Sequence, residues 1–291
     1  MFAARTVTRP VVAINSVLAI QARDMATLKE ISLRLKSVSN IAKITKSMKM
    51  IASTKVARAQ RIMENARVYG VASNAFFQHA ETADPADAKP VLVTVSSDRG
   101  LCGGIHSSVS KATKKIAADY KDAGIVILGQ KAKVQIARDH RDNIQLTFDQ
   151  VAKNLPSFTE AALIADRILK SGLEFNAGKI VYNKFVSVIA YDATVLPFYN
   201  FQSISESPKL SNYEYEDETL KNLEEFTLSN SLYWAIAEGN AAEMAAKRTA
   251  MENATKNADE MIQKLTLIYN RSRQASITND LIDIITGASA M

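Results

Sequence analysis

The sequence predicts an α/β protein with long helices: an antiparallel coiled coil of the N- and C-terminal segments together with a central Rossmann-like α/β domain. Proline is absent between Pro10 and Pro85, and it is absent again after Pro208. The first glycine is Gly70. Because proline and glycine are the strongest helix breakers, both flanks can form nearly uninterrupted helices. The middle alternates strand-like and helix-like runs, which indicates a parallel or mostly parallel sheet covered by helices.

The N-terminal helix should begin at Thr27, which forms a capping box with Glu30. An apolar stripe follows in steps of three and four residues, and we expect it to continue after a small shift of phase. Its members are Leu28, Ile31, Leu35 and Val38, then Ile41, Ile44, Met48 and Ile51, then Val56, Ile62 and Met63. This spacing is typical of a coiled-coil seam with imperfect register. A helix reaching about Thr82 would be roughly 80 Å long.

The C-terminal helix should cover residues 220–286, roughly 100 Å. Its apolar face has large side chains at first, then alanines that allow another helix to approach closely, then large side chains again. The members are Leu220, Leu223, Phe226, Leu228, Leu232, Ile236 and Met244, then Ala241, Ala242, Ala245, Ala246, Ala250, Ala254 and Ala258, then Met261, Leu265, Ile268, Ile277, Leu281 and Ile284. Two helices of this length need each other or a partner.

The middle region supplies the sheet and its covering helices. Strand-type runs are predicted at 91–95, 125–128, 179–189 and, less strongly, 144–148. Helices are predicted at 105–120, 131–139 and 159–171. We therefore place the domain boundaries at 26–84 for the N-terminal helix, 85–208 for the α/β domain and 209–291 for the C-terminal helix.

Residues 1–25 differ in composition from the rest. They carry three arginines among hydroxyl and small apolar residues, and their one acid is Asp24. That composition is typical of a mitochondrial presequence. The apolar run 11–20 could instead be a secretory core, but Asn15 and Ser16 interrupt it. We expect mitochondrial import.

The charges of the two flanks are opposite. Residues 26–69 carry a net charge of +8 and residues 214–291 a net charge of −6, whereas the whole chain carries +6. A basic chain alone would suggest nucleic acid or an anionic surface as a partner. The partition first favours pairing of the two flanks with each other.

The motif SSDRGLCGG, residues 96–104, lies where the first strand should turn into a helix, a place where α/β folds often bind phosphate. Its glycines and Arg99 could form an anion nest. However, the spacing matches neither GxGxxG nor GxxxxGK[ST]. We interpret the motif as a tight turn whose glycines permit unusual dihedral angles and close helix packing. Cys102 could be reactive at a helix start, but no base is placed to activate it.

Other candidates for chemistry lack partners in the sequence. His140 could be a general base or a solvated helix end, and Asp192 follows a predicted strand without a second group nearby. The acidic cluster 214–218 lacks the spaced loop of a calcium site, and negative charge favours a helix start in any case. Three histidines and one cysteine do not match zinc ligand spacing. We expect no catalytic residue, no cofactor and no metal.

The basic N-terminal helix leaves three interpretations open. Its bases could bind DNA like the arm of a basic leucine zipper, but they are interleaved with the apolar stripe rather than lying beyond it. They could equally form a solvated face or contact acidic loops of a partner protein.

The C-terminal end is the most specific stretch of the sequence. Arg271, Arg273 and Gln274 supply many hydrogen-bond donors, and a strongly apolar helix end follows them. Its large side chains are Ile277, Leu281, Ile282, Ile284 and Ile285. Because they cover more than one face, we expect this end to be buried in another protein.

Three stretches together resemble the gamma subunits of F-type ATP synthases, in their mitochondrial form. They are ATLKEISLRLKSVSNIAKITKSMKMIASTKVARAQ (residues 26–60), SSDRGLCGG (96–104) and RSRQASITNDLIDIITGASAM (271–291). Their order and positions agree over the chain beyond residue 25, while the middle domain is a weaker match.

The resemblance implies a central rotor shaft that performs no bond chemistry. In that family the paired terminal helices lie inside a hexamer of alpha and beta subunits, where ATP is made or hydrolysed. The α/β domain lies toward the ring of c subunits, beside the small delta and epsilon subunits, on the matrix side of the mitochondrial inner membrane.

The same resemblance suggests which residues contact partners. Arg273 and Gln274 match the family's contact motif with the beta subunits, and Met48 matches a methionine to which coupling is sensitive. Lys46 and Lys49 beside it would face acidic loops of the beta subunits. From the residues alone, the alternative function is that of a nucleotide-binding α/β enzyme with helical oligomerisation arms.

Overall fold

A computed structural model describes residues 27–83, 85, 89–120, 123–173 and 175–290. The predicted presequence, residues 1–25, lies outside these residues. The chain divides into two compact units, one joining the residues up to Ile44 with those from Thr255 onward, and the other comprising Thr45–Ala254. The elements in chain order are α1 (Leu28–His79), β1 (Pro90–Val95), α2 (Ile105–Asp119), β2 (Gly124–Leu128), α3 (Gln130–Ile136), β3 (Ile144–Phe148), α4 (Phe158–Leu169), β4 (Ala177–Phe185), β5 (Tyr191–Tyr199), α5 (Phe201–Ser205), a 3-10 turn (Leu210–Asn212) and α6 (Asp217–Ser289). The predicted α/β fold with two long flanking helices is confirmed.

One five-stranded sheet has the strand order β3-β2-β1-β4-β5. The first four strands pair in parallel, and β5 runs antiparallel beside β4 at the edge. The strands predicted at 91–95, 125–128 and 144–148 are confirmed, as is the mostly parallel sheet.

The strand predicted for residues 179–189 is confirmed up to Phe185, but its continuation to residue 189 is wrong. β4 ends at Phe185, and the chain returns as β5. The backbone amides of Val186 and Ser187 both donate to the carbonyl of Ala190, which closes the hairpin. The β-branched residues that suggested a continuing strand lie in this turn, where Val186 and Ile189 are exposed and Val188 is partly buried. High β propensity does not distinguish a strand from a tight turn between two strands.

Both faces of the sheet are covered. Along β1, Val91, Val93 and Val95 belong to one core cluster, while the intervening Leu92 belongs to another, as the alternation of a strand requires. α4 and the part of α6 around Leu232 complete the first cluster. α2 and α3 complete the second. A stretch of the C-terminal helix is therefore one layer of the α/β domain.

In the unit formed by the start of α1 and the end of α6, the two helices bury a narrow seam. The predicted capping box begins α1: the Thr27 hydroxyl accepts from the Glu30 amide at 3.3 Å, and the Glu30 carboxylate accepts from the Thr27 amide at 2.9 Å. The seam consists of Val38, Ala42, Ala258 and Leu265, with Leu35 and Ile262 partly buried beside it. This is the predicted antiparallel helix pair.

The phase shift predicted in the N-terminal stripe is wrong. Ile41, Ile44 and Ile51 are 52%, 55% and 57% exposed. The heptad spacing continues without a shift, through small residues: the buried positions are Ala42, Thr45, Ala52, Val56, Ala59, Met63 and Ala66. Each exposed isoleucine stands next to a smaller residue that a close helix contact accommodates better.

Two predictions for α6 need correction: the residue at which the helix begins, and the residues of its apolar stripe that are buried. The helix begins at Asp217, a few residues before the predicted start, and the acidic cluster lies at that start as expected. Met261 and Ile268 are exposed, whereas Leu265 between them is buried. Helical periodicity located the stripe to within one residue but did not resolve which neighbour faces inward.

Gly129 offers a test of the sheet-to-helix turn that begins α3. Its φ is +97°, and an added Cβ would lie 2.6 Å from Cα of Ser97. Gly172 has a comparable φ of +72° but no atom within 4 Å of such a Cβ. We expect Gly129→Ala to lower the free energy of unfolding by about 3 kcal/mol, because backbone strain and overpacking add. Gly172→Ala should cost about 1 to 2 kcal/mol from strain alone. Urea denaturation of the full chain measures both, and equal losses would contradict the steric argument.

Candidate functional site

A fully buried carboxylate, that of Glu238 on α6, joins three elements of the 45–254 unit. Its Oε1 accepts hydrogen bonds from Arg67 Nε at 2.7 Å and from Trp234 Nε1 at 3.0 Å. Its Oε2 accepts a hydrogen bond from the backbone amide of Phe185 at 2.9 Å. α1, the end of β4 and α6 therefore meet at one side chain. We call Glu238, Arg67, Trp234 and Phe185 the Glu238 clasp.

Arg67 completes the clasp from α1. Its Nη2 donates to the backbone carbonyl of Phe185 at 2.9 Å, so the backbone of Phe185 is bound through both its amide and its carbonyl. The hydrogen bond to Glu238 is the main cause that raises the pKa of Arg67 above its already high ordinary value. Removing one partner of a buried ion pair costs roughly 3–5 kcal/mol. The cost is smaller here because the Arg67 side chain remains partly exposed to solvent.

The clasp also explains the first glycine of the chain. Gly70 lies one turn beyond Arg67 on α1, and a Cβ added to it would lie 2.7 Å from the Trp234 ring. The indole can therefore pack closely against the helix at Gly70 while its Nε1 reaches Glu238. Glycine weakens a helix by about 1 kcal/mol relative to alanine. At this position it permits an aromatic contact between α1 and α6 that a larger residue would block.

A second buried acid on α6, Glu243, joins the motif that follows β1. Its Oε1 lies 3.6 Å from Arg99 Nη1 and 3.7 Å from the sulfur of Cys102. Cys102 is buried as well, and burial followed by the nearby charge of Glu243 raises the pKa of its thiol to about 12. This cysteine is therefore a protonated packing residue at neutral pH.

The motif itself is a tightly bonded turn, as predicted. Asp98 accepts from the backbone amides of Gln130 and Gln150, both at 2.6 Å. Arg99 Nη2 donates to the carbonyls of Ala152 and Lys153, both at 2.7 Å. The guanidinium that an anion nest would need is thus used to hold the loop before α4. Gly103, at φ of +64°, supplies the left-handed turn before α2.

The other residues considered as catalytic candidates, His140 and Asp192, lie in different parts of the fold. His140 is partly exposed beyond α3, and Asp192 lies inside β5, opposite Lys184. Among the described residues, no three histidine, cysteine or acidic side chains are close enough to share a metal ion. Nor does any helix in the described ranges have the length and apolarity of a membrane span.

The residues predicted to contact partners fall in two places. Lys46, Met48 and Lys49 lie within one turn of α1, in the 45–254 unit. Lys46 is exposed and Met48 is half-buried, while Lys49 pairs with Glu252 of α6 at 3.3 Å. Arg273 and Gln274 are both exposed on α6, in the other unit. The opposite charges of the flanks thus meet at Lys49 and Glu252, and at Arg67 and Glu238.

Two further apolar surfaces are exposed, besides the isoleucines of α1. At the end of α6, Ile277, Leu281, Ile282, Ile284 and Ile285 are each more than half exposed. In the 45–254 unit, a row of aromatic rings runs from Tyr69 through Phe226 and Phe158 to Tyr233, with neighbouring ring centroids 6.1–6.4 Å apart. Exposed apolar patches of this kind usually mark protein interfaces.

The chain is similar to known proteins along its described length. The family described as ATP synthase matches residues 27–291. The mitochondrial ATP synthase subunit gamma of Yarrowia lipolytica is 46% identical over 296 residues, covering 100% of both chains. The mitochondrial ATP synthase F(1) complex subunit gamma of Rattus norvegicus is 46% identical over 272 residues, covering 91% of this chain and 100% of that protein.

Solved structures show the same similarity. A chain of the Tetrahymena thermophila mitochondrial ATP synthase central stalk/c-ring structure is 27% identical, with a TM-score of 0.62, over 72% of this chain and 99% of that one. A chain of the Euglena gracilis mitochondrial ATP synthase has a TM-score of 0.75 at 19% identity, over 92% and 95% of the two chains. The second likeness is one of fold.

The raised thiol pKa predicts that Cys102 is inert while the chain is folded. At pH 8, well below this pKa, the thiol stays protonated, and alkylating reagents attack the thiolate. We expect iodoacetamide to modify Cys102 only after unfolding, as mass spectrometry would show. The double variant Leu101→Cys with Cys102→Ala moves the thiol to the exposed neighbouring position and should react within minutes. Fast labelling of native Cys102 would contradict the assignment.

Proposed function

We propose a mechanical role for this chain, which belongs to the gamma-subunit family of mitochondrial ATP synthases. It is the central rotor shaft of the complex and couples proton-driven rotation of the membrane ring to ATP synthesis and hydrolysis on the alpha and beta subunits. The chain is not itself a catalyst, because the bond chemistry takes place on those subunits. The 46% identity over the full length of both chains carries this conclusion.

The fold explains how one chain can transmit rotation. α1 and α6 give the protein two long helices, and the Glu238 clasp fastens both to the end of β4. A force applied to the α/β domain therefore acts on the helices through directional, buried contacts. The alternative of a nucleotide-binding enzyme has no support at the loop after β1, where Arg99 is bound to protein carbonyls.

The exposed surfaces supply the contacts that a shaft needs. The partners are the alpha and beta subunits, the small delta and epsilon subunits of the central stalk, and the c ring. The apolar end of α6, together with Arg273 and Gln274, suits a contact with the hexamer, as do Lys46, Met48 and Lys49. The aromatic row of Tyr69, Phe226, Phe158 and Tyr233 suits a stalk partner. These assignments rest on exposure and on the motifs shared with the family.

The chain is mitochondrial, like its relatives. Its place in the complex puts it on the matrix side of the inner membrane. Residues 1–25, with their arginines and single acid, would then be the segment that directs import.

Copurification tests the role directly. ATP synthase isolated from mitochondria should contain this chain at one copy per three alpha and three beta subunits, as quantitative mass spectrometry would measure. Recovery of the chain without those subunits, or at equal copy number with them, would contradict the shaft.

Neutralising the exposed contact residues should weaken coupling without preventing assembly. We expect Lys46→Gln combined with Arg273→Ala to lower proton-driven ATP synthesis several-fold, because exposed charge contacts of up to about 1 kcal/mol each are lost. The complex should still assemble, since both side chains lie outside the buried seam. The control is Lys111→Gln with Lys115→Gln, two exposed bases on α2. Unchanged synthesis in the first variant, measured in inverted membrane vesicles, would refute the assigned contacts.

A further inference from the structure

We propose that the Glu238 clasp is the joint at which torque passes between the α/β domain and the helices. This inference rests on the shaft function proposed above and assigns part of that function to named residues. Glu238 and Arg67 are positioning residues: they fix the angle of α1 and α6 against the sheet, and they touch no nucleotide.

The contacts between helix and sheet are of two kinds. Around Leu232 and Ile236 of α6 they are apolar. Apolar packing is non-directional, so it resists separation better than it resists sliding or turning. The clasp adds four hydrogen bonds of 2.7–3.0 Å whose strength depends on angle. α6 also contacts the turn after β1 through Glu243 and Arg99, and the turn after β4 through Thr249 and the carbonyl of Val188. Of these polar contacts, the clasp is the one that binds both α1 and α6 to the end of β4, so it opposes rotation of either helix against that strand end.

The two oxygens of the Glu238 carboxylate accept hydrogen bonds from different elements. Oε1 binds one donor from α1 and one from α6 itself, and Oε2 binds the amide of Phe185 at the end of β4. Arg67 returns from α1 to the carbonyl of that same residue. The resulting ring of bonds closes through three elements, so none of them can turn without stretching a bond in the ring.

Stability alone is a poor reason for this arrangement. Replacing a buried ion pair by well-packed apolar residues is often neutral or stabilising, because the charges no longer have to be removed from water. Leucine or methionine would fill the space beside Trp234 and Gly70. What an apolar residue cannot supply is a fixed angle between the elements, and a fixed angle is what a shaft under torsion needs.

The test measures torsional stiffness in the whole complex. ATP synthase carrying Glu238→Gln is held by its alpha and beta subunits, with a bead on the c ring, and the angular variance of the stalled rotor is recorded. Whichever way the glutamine amide turns, its nitrogen faces a donor, so one arm of the ring is lost. We expect the angular variance to rise about twofold, with ATP hydrolysis per complex unchanged. The matched control is Glu218→Gln, an exposed glutamate on the same helix.

A purely structural role for the clasp would lower the yield of complex and leave the variance of the assembled molecules unchanged; that result overturns the proposal. If Glu238→Gln does not assemble, Arg67→Lys decides: it keeps the charge opposite Glu238 but replaces the two guanidinium nitrogens that bind Glu238 and the Phe185 carbonyl with a single flexible nitrogen. Its variance should lie above the wild-type value, and equality with wild type refutes the joint. Failure of the shaft function would be distinct, since the wild-type chain would then not rotate against the hexamer.

Discussion

The arrangement of the 45–254 unit depends on one buried charge. Glu238 is fully removed from solvent, and an unpaired carboxylate there would be too costly to retain. Its three donors come from α1, α6 and the end of β4. Each of these elements must therefore hold its place for all three donors to reach the buried carboxylate. The glycine beneath Trp234 and the short turn after β4 are conditions for the same contact.

The helix pair in the other unit, by contrast, buries a narrow apolar seam. Its seam is built from Val38, Ala42, Ala258 and Leu265. Large isoleucines on α1 are left outside the seam. A helix pair of this kind keeps its outward surface free for weak, repeated contacts. A rotor inside a socket needs such contacts, because one deep energy minimum would stop it. The Glu238 clasp thus attaches the helices rigidly to the sheet, whereas the helix pair of the other unit offers a surface for weak contacts with partners.

The sequence predicted the elements better than it predicted the contacts between them. Helix breakers located both long helices, and β-branched runs located the parallel strands, because these signals are local. The middle of the α1 seam was misplaced by one residue, at Ile41, Ile44 and Ile51. Periodicity cannot separate Ile41 from Ala42, because the choice depends on how closely α6 approaches. β5 was missed because its hairpin turn carries β-branched residues.

The clasp could not be found from the sequence. Arg67 and Glu238 are 171 residues apart, and each looks like an ordinary surface charge on a long helix. Gly70 was a visible signal, since it interrupts an otherwise glycine-free stretch, but its partner Trp234 is identified only by the fold. The turn at residues 96–104 was interpreted correctly, whereas the role of Asp98 in binding two backbone amides depends on loops distant in sequence.

The exposed apolar end of α6 has a consequence for the life of the chain before assembly. Five large aliphatic side chains within nine residues would adhere to other unfolded or half-assembled proteins in a crowded compartment. A cell that makes more of this chain than of its partner subunits accumulates an unassembled, aggregation-prone subunit. Supply must therefore be matched to demand, through balanced synthesis, escort by chaperones or prompt removal of the surplus. The exposed apolar end of α6 therefore makes the unassembled subunit a burden on protein quality control.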